Sequence, residues 1–224
     1  MTSLLVLIPC LNEEKTIGTV IQSVPATIDG VGDIQIAIID DGSTDRTAEI
    51  AQSHGAAVLH HGRNQGVGAA LRTGLAHARR VGADITVSID GDGQFDPAQI
   101  ETLIAPLVNG TAEFATASRF KDPELKPTMP PVKVFGNRGI AWLVSSLTGF
   151  KMYDVSCGFR AYSREVVEQV HILGNFTYTH EIIMQLAFRG FRIAEIPLRV
   201  RGVREFGTSR VASDLWRYAR QSSG

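Results

Sequence analysis

Two carboxylates separated by one glycine, Asp90-Gly91-Asp92-Gly93-Gln94, stand where an apolar, β-branched run at residues 84–89 stops. Hard divalent cations take a few carboxylate oxygens and complete their shell with phosphates and water, so this spacing suits a metal-diphosphate site, with Gln94 as a further oxygen donor. Gly91 would let the backbone approach a diphosphate closely. Aspartate and glycine also dominate tight turns, so the motif by itself reads equally well as a turn. Two more acidic pairs, Glu13-Glu14 and Asp40-Asp41, follow earlier apolar runs. Asp40 and Asp41 can accept hydrogen bonds from a base N–H or from ribose hydroxyls. Ser43 or Thr44 can cap the helix that follows, and Ser43 or Asp45 can do so while Asp40 binds a ligand. Arg119 ends a later strand, where a guanidinium can grip a phosphate bidentately; Arg138, Arg204 and Arg210 are further phosphate candidates. His60, His61 and His180 show no metal-ligand spacing, and His60-His61 read as surface residues.

The elements around these residues alternate. Residues 4–8 form an apolar run of strand length, residues 13–23 have helical spacing, and residues 34–39 form a second strand leading into a helix through Ala51. Residues 56–59 read as a third strand, followed by the glycine-rich helix start Asn64-Gln65-Gly66-Val67-Gly68 and the strand that ends at Asp90. Strand, helix, strand, helix is the parallel α/β pattern, in which loops beyond the carboxyl ends of neighbouring strands share one crevice. The three acidic clusters should therefore converge. The Gly66-Val67-Gly68 stretch lacks the third glycine of a dinucleotide fingerprint and follows the wrong strand, so its glycines are expected to allow close helix packing.

Further on come a helix to about Val108, a strand at 113–118, and residues 121–131 with four prolines, read as a mobile loop. The apolar helix at 140–150, with Lys133 and Arg138 upstream, is either a core helix or a surface helix lying on a membrane or lipid tail. Residues 154–162 take no assigned element. Helices from Ser163 and over 178–188 and a strand at 192–200 complete the fold, followed by a basic tail.

With 224 residues, 44% of them hydrophobic, the chain can bury a full core as one α/β domain. A formal net charge of −1 argues against non-specific nucleic-acid binding. Cys10 and Cys157 stand far apart with no CxxC, which points to a reduced compartment. No secretory signal pattern and no span of about 18 apolar residues is present, so a cytoplasmic location is expected, with peripheral contact at the membrane face allowed.

The motifs Ile8-Pro9-Cys10-Leu11-Asn12-Glu13-Glu14, Ile39-Asp40-Asp41-Gly42-Ser43-Thr44-Asp45, Asn64 to Gly74, Asp90 to Pro97, Ser118-Arg119, Ser156-Cys157-Gly158-Phe159-Arg160 and Gly207-Thr208-Ser209-Arg210 occur in that order across nearly the whole chain. With them the chain resembles family 2 glycosyltransferases, and within these the dolichol-phosphate mannose synthase and polyprenyl-phosphate glycosyltransferase branch. The resemblance implies a GT-A fold, an α/β architecture with a mostly parallel central sheet flanked by helices. It also implies a nucleotide-diphospho sugar donor such as GDP-mannose or a UDP-sugar, a Mg²⁺ or Mn²⁺ cofactor, and inverting transfer. Residues 1–119 would form the nucleotide-sugar half, and residues 120–224 the acceptor half and closing loop of one domain. Carried over by position, Pro9, Leu11 and Glu13 line the nucleotide and Asp40 contacts base or ribose. Asp90 and Gly91 cradle the diphosphate, Asp92 and Gln94 (with Asp90) hold the metal, Arg119 lies beside donor and acceptor phosphates, and Arg204 with Ser209 closes on the donor. Gly91 stands where alanine is more usual, and Leu11 where many members carry an aromatic or polar residue.

A sugar hydroxyl acceptor needs a general base, and hydroxyl-glycosylating relatives carry an acidic pair in the second half that has no counterpart here after Arg119. A phosphate monoester, with a second pKa of about 6, needs none. A polyprenyl phosphate held by Arg119 and Arg138, with the 140–150 helix near the lipid, is therefore expected; Glu181 or Asp154 would be the base for a saccharide hydroxyl. A sugar-nucleotide nucleotidyltransferase would want a basic loop after the first strand, where this chain has Asn12-Glu13-Glu14. A non-catalytic nucleotide-sugar-binding protein would have little use for both Asp90/Asp92 and a basic closing loop.

Overall fold

The computed structural model describes residues 2–125, 127, 131–174 and 178–200, with the backbone only at 131–133. Arg204, Ser209 and Arg210 lie outside the described residues, as does part of the expected mobile loop. Seven strands form one sheet in the order β3-β2-β1-β4-β6-β5-β7. They are β1 (Thr2–Cys10), β2 (Val31–Asp40), β3 (Ala57–His60), β4 (Ile85–Ser88), β5 (Phe114–Ser118), β6 (Arg160–Ser163) and β7 (Ile193–Pro197). All neighbouring pairs are parallel except those of β6, which runs antiparallel to β4 and β5.

The central strands are buried on both faces, which is why they read as continuous apolar runs and not as alternating ones. Along β1, Leu4, Val6 and Ile8 pack into one core layer with Ile17, Ile100 and Leu103, while Leu5 and Leu7 enter the opposite layer with Leu71, Leu75, Val144 and Ile182. Each such side chain contributes about 1.5–3 kcal/mol by leaving water. Helices α1 (Ile17–Gln22), α2 (Thr47–Ser53) and α4 (Ile100–Val108) cover the first face; α3 (Val67–Val81), α5 (Pro131–Thr148), α6 (Arg164–Gln169) and α7 (Tyr178–Phe188) serve the second. Gly74 brings α3 down onto β1 and β2, since a Cβ there would stand 2.8 Å from Leu7 Cδ1 and 3.1 Å from Ile39 Cδ1.

Several expected boundaries move for identifiable reasons. The helix expected from Glu13 begins at Ile17, because Glu13 to Thr16 form a turn in which the Glu13 carbonyl accepts the Thr16 and Ile17 N–H groups. Helix α2 begins at Thr47; Asp45 accepts its first N–H at 3.0 Å, whereas Ser43 faces Asn12. Strand β6 carries the end of the unassigned 154–162 segment, and it was hidden because its pattern is too short to show a period. Helix α5 starts nine residues before the expected 140, with one side in the core and the other exposed. Val134, Ala141 and Val144 are buried against the core, while Phe135, Ile140, Trp142, Leu143 and Leu147 are exposed, Trp142 at 71%.

Candidate active site

In the sheet order, β2, β1 and β4 are neighbours, so the loops after them meet at one edge. The last residues of β1 and β2 are in register, Cys10 opposite Asp40, and Asp41 N–H donates to the Cys10 carbonyl at 2.9 Å. The buried Cys10 thiol reports the convergence: burial first, then the charges of Glu13, Asp40, Asp90 and Asp92 together, push its pKa well above the ordinary thiol value. All three acidic clusters thus contribute to one negatively charged corner.

The first two loops are zipped together. Asn12, with φ of 56°, accepts the Thr44 N–H at 2.8 Å on its side-chain oxygen and donates its own N–H to Ser43 Oγ at 2.9 Å. Asparagine is among the few side chains that tolerate this left-handed conformation. Glu13 N–H donates to Thr47 Oγ1 at 2.8 Å, and Glu14 N–H to Asp45 at 3.1 Å. Thr16 then ties the first loop to the Asp-Gly-Asp turn, its hydroxyl donating to the Gly91 carbonyl at 2.8 Å. Neither Asn12 nor Thr16 was anticipated as a site residue; the signal for Asn12 was its residue type directly before the Glu13-Glu14 pair.

The turn after β4 is shaped by close packing. A Cβ on Gly91 would lie 2.6 Å from Cys10 Sγ, so a larger residue at this position would have to displace the thiol beneath it. Buried Asp92 accepts the Gln94 N–H at 3.0 Å. Half-buried Asp90 lies against Gly158, where a Cβ would stand 2.9 Å from its Oδ2. Pro9, Leu11 and Glu13 are half-buried along the same edge.

Asp40 and Asp41 are both buried and both engaged by the protein. Asp40 accepts the Ser43 N–H at 2.9 Å on Oδ1 and pairs with His60 at 3.1 Å through Oδ2. Asp41 meets His61 Nδ1 at 2.7 Å and accepts the Gln65 and Gly66 N–H groups at 2.9 Å each. It latches the start of α3. His61 is correspondingly not a surface residue but a buried bridge from Asp41 to Thr73, at 2.9 Å. Beside this latch opens a cleft of about 320 Å³ lined by Arg63, Asn64, Gln65, Ala69 and Arg72.

Arg119 leaves the end of β5 and meets Asp154, which is fully buried: Nε donates to Oδ2 at 2.6 Å and Nη2 to Oδ1 at 2.9 Å. Burial alone would lower the arginine pKa, but the hydrogen bonds and charge of Asp154 more than offset this and leave it raised. Nη2 also donates to Ser156 Oγ at 2.6 Å. Asp154 is in turn seated by Glu195, which accepts the Asp154 N–H at 2.7 Å and the Tyr153 N–H at 3.0 Å. Asp154, considered from sequence as a hydroxyl base, is thus engaged as an anchor for Arg119. Glu181, the other expected base, accepts the Leu173 and Gly174 N–H groups at 2.9 and 3.2 Å and holds that loop. Arg138 is exposed on α5, and its neighbour Asn137 is the residue that reaches the Arg119 cluster. Glu195 and Asn137 had no signal in the linear pattern.

The donor set at the Asp90-Gly91-Asp92 turn fits a divalent cation. Its carboxylates jointly make the corner electronegative, and Mg²⁺ needs only one or two protein carboxylates when phosphates and water complete the shell. Among the described residues no three His, Cys, Asp or Glu side chains form a ready-made cage.

Comparison with known proteins adds to this geometry. The family described as Glycosyl transferase family 2 matches residues 5–171. The UDP-N-acetylglucosamine–dolichyl-phosphate N-acetylglucosaminyltransferase of Methanococcus voltae is 31% identical, over 86% of this chain and 83% of its own. The dolichyl-phosphate hexose transferase of Haloferax volcanii is 32% identical, over 85% of this chain and 79% of its own. Among solved structures, glucosyl-3-phosphoglycerate synthase from Mycobacterium tuberculosis, in complex with Mn²⁺, UDP and glucosyl-3-phosphoglycerate, superimposes with a TM-score of 0.75 at 25% identity, covering 98% of this chain and 77% of that one.

Proposed function

Since the chain belongs to glycosyl transferase family 2, has the GT-A fold and is a glycosyltransferase, we propose that it moves a sugar from a nucleotide-diphospho sugar to a polyprenyl phosphate with inversion at the anomeric carbon. The carrying observation is that Asp154 and Glu181 are both committed to other partners, while Arg119 is held rigidly beside a helix with an exposed apolar face. An acceptor that needs no base, carries a phosphate and drags a hydrocarbon tail suits that arrangement. The named activities of the two archaeal relatives, both on dolichyl phosphate, support it.

In this reading Pro9, Leu11, Glu13 and Asp40 contact the nucleoside, with Asp41 acting indirectly by fixing the β3–α3 loop. Asp92, with Asp90 and Gln94, would hold Mg²⁺ or Mn²⁺; relatives in the solved structures bind either ion with UDP. The chemistry that such an ion supplies is neutralisation of charge on the departing nucleoside diphosphate. Gly91 keeps the turn close over Cys10. Arg119, preorganised by Asp154, grips the acceptor phosphate and orients its oxygen for attack from the face opposite the leaving group. Arg138 offers a second positive charge. Arg204 and Ser209 would close on the donor; Val200, the last described residue before them, bridges Phe95 next to the Asp90–Gln94 turn.

The exposed face of α5 would lie at a bilayer surface. Residues 125–153 carry four basic residues, Lys126, Lys133, Arg138 and Lys151, and no acidic one, which suits anionic headgroups. No helix among the described residues is long and apolar enough to cross a membrane. The test is transfer of labelled sugar from UDP- and GDP-sugars, with Mg²⁺ or Mn²⁺, to polyprenyl phosphate in vesicles. Transfer confined to soluble acceptors would refute it. One such acceptor is favoured by a specific observation: the solved relatives include a complex with phosphoglyceric acid, so transfer to a small phosphorylated acid is the second reading and belongs in the same assay.

A further inference from the structure

The Ser156-Cys157-Gly158-Phe159-Arg160 motif had no assigned role beyond resemblance, and its first residue sits at a junction. Ser156 Oγ receives the Arg119 Nη2 proton at 2.6 Å and lies 2.9 Å from the Asn137 side-chain oxygen on α5. Its single hydroxyl proton has Asn137 as its nearer acceptor, since Asp154 Oδ1 is 3.2 Å away. Asn137 closes the circuit by donating from Nδ2 to the Tyr153 carbonyl at 3.1 Å, and the Tyr153 and Asp154 N–H groups are pinned on Glu195. An unbroken chain of hydrogen bonds thus runs from Arg119 to the helix whose other face exposes Phe135, Trp142, Leu143 and Leu147.

We infer that Asn137 and Ser156 are positioning residues that couple α5 to the Arg119 guanidinium, so that seating the acceptor's hydrocarbon on α5 sets the orientation of the group that grips its phosphate. The inference rests on the polyprenyl-phosphate reading above. Removal of Asn137 leaves the Arg119–Asp154 pair in place, because the Ser156 proton can turn to Asp154. What is lost is the link to α5, and with it the advantage of a long lipid over a short one.

The experiment compares kcat/KM for a long polyprenyl phosphate in anionic vesicles with that for a water-soluble prenyl phosphate of two isoprene units, in the wild type, Asn137→Ala, Ser156→Ala, Ser156→Thr and the double alanine variant. The wild type should prefer the long lipid. Each alanine variant should lower that preference by about fivefold, the worth of a typical hydrogen bond, while the KM for the donor stays unchanged. The double variant should fall no further than either single one, because one chain is broken twice, and Ser156→Thr should restore the preference. Ser156 is exposed in a loop, so its alanine variant reads the same step even if Asn137→Ala fails to fold. A preference unchanged in both single variants, or an equal loss for both acceptors in Asn137→Ala, would overturn the coupling. If the wild type transfers to neither acceptor, the polyprenyl-phosphate reading falls and the coupling falls with it.

Discussion

The corner formed by the loops after β1, β2 and β4 and the cluster around Arg119 both hold charge in fixed positions, by different means. At the corner, carboxylates of like sign gather over a buried thiol, held there by short side chain to backbone hydrogen bonds such as Asn12 to Thr44 and Asp40 to Ser43. Like charges so placed are an attraction waiting for a cation. Around Arg119 the opposite holds: Asp154 pairs with the guanidinium, Ser156 accepts from it and Glu195 seats Asp154, through hydrogen bonds that join residues 35 to 41 positions apart in sequence. The first region is built to receive charge and the second to present it at a fixed angle.

Breaking each region should therefore fail differently. Replacing Asp92 with Asn should cut turnover by about a hundredfold or more, the scale of losing one preorganised electrostatic contact at developing charge, with the fold retained by circular dichroism. A variant that keeps wild-type turnover would remove the metal role. Asp154→Ala should instead cost stability, about 3 kcal/mol by denaturant unfolding, because it leaves the largely enclosed Arg119 without its counter-charge. If it unfolds at the wild-type midpoint, the pair is not the anchor described.

Gly91→Ala should lose about 1–3 kcal/mol to overpacking against Cys10, and the double variant Cys10→Ala/Gly91→Ala should recover most of it. Additive losses in that cycle would mean that the turn, and not the thiol, demands glycine. On vesicles, Trp142→Ala should weaken binding by about 2 kcal/mol, measured by cosedimentation, whereas Phe114→Ala, in the core, should leave binding by the folded fraction unchanged.

The smallest effect is a difference in pH slope between the regions. Asp45, beside the corner, has its pKa lowered: burial is the largest single influence and opposes this, but the hydrogen bonds from Thr47 and Glu14 together prevail. Its contribution is present above the unfolded carboxylate value and fades as pH falls through the lowered one. Glu195, raised by burial, has the reverse sign: its contribution is present below the unfolded value and is lost as pH rises through the folded one. Denaturant midpoints of Glu195→Gln and of wild type should therefore diverge in the variant's favour as pH rises above about 4. Parallel curves would place Glu195 in a solvated setting.

Most of the corner was legible beforehand. Parallel strands fully buried on both faces announce themselves as apolar runs, and in this architecture the loops that follow adjacent strands must meet, so Glu13, Asp40, Asp90 and Asp92 could be gathered from spacing alone. The partners that Asp40 and Asp41 meet were not legible, because only the packing of His60, His61 and the β3–α3 loop brings them within reach. Gly91 was read as room for a diphosphate; its close packing on Cys10, eighty-one residues away in the chain, was not legible. The Arg119 cluster was legible only as one arginine at the end of a strand. Its partners are joined by the antiparallel insertion of β6 between β4 and β5, which brings residues 153–158 next to residue 119. A four-residue strand leaves no periodic trace, and a buried Glu195 looks like any surface glutamate in a string of letters. Local pattern determined which residues carry charge towards the crevice. Long-range packing decided which of those charges are already paired, because pairing depends on distances that sequence spacing does not record.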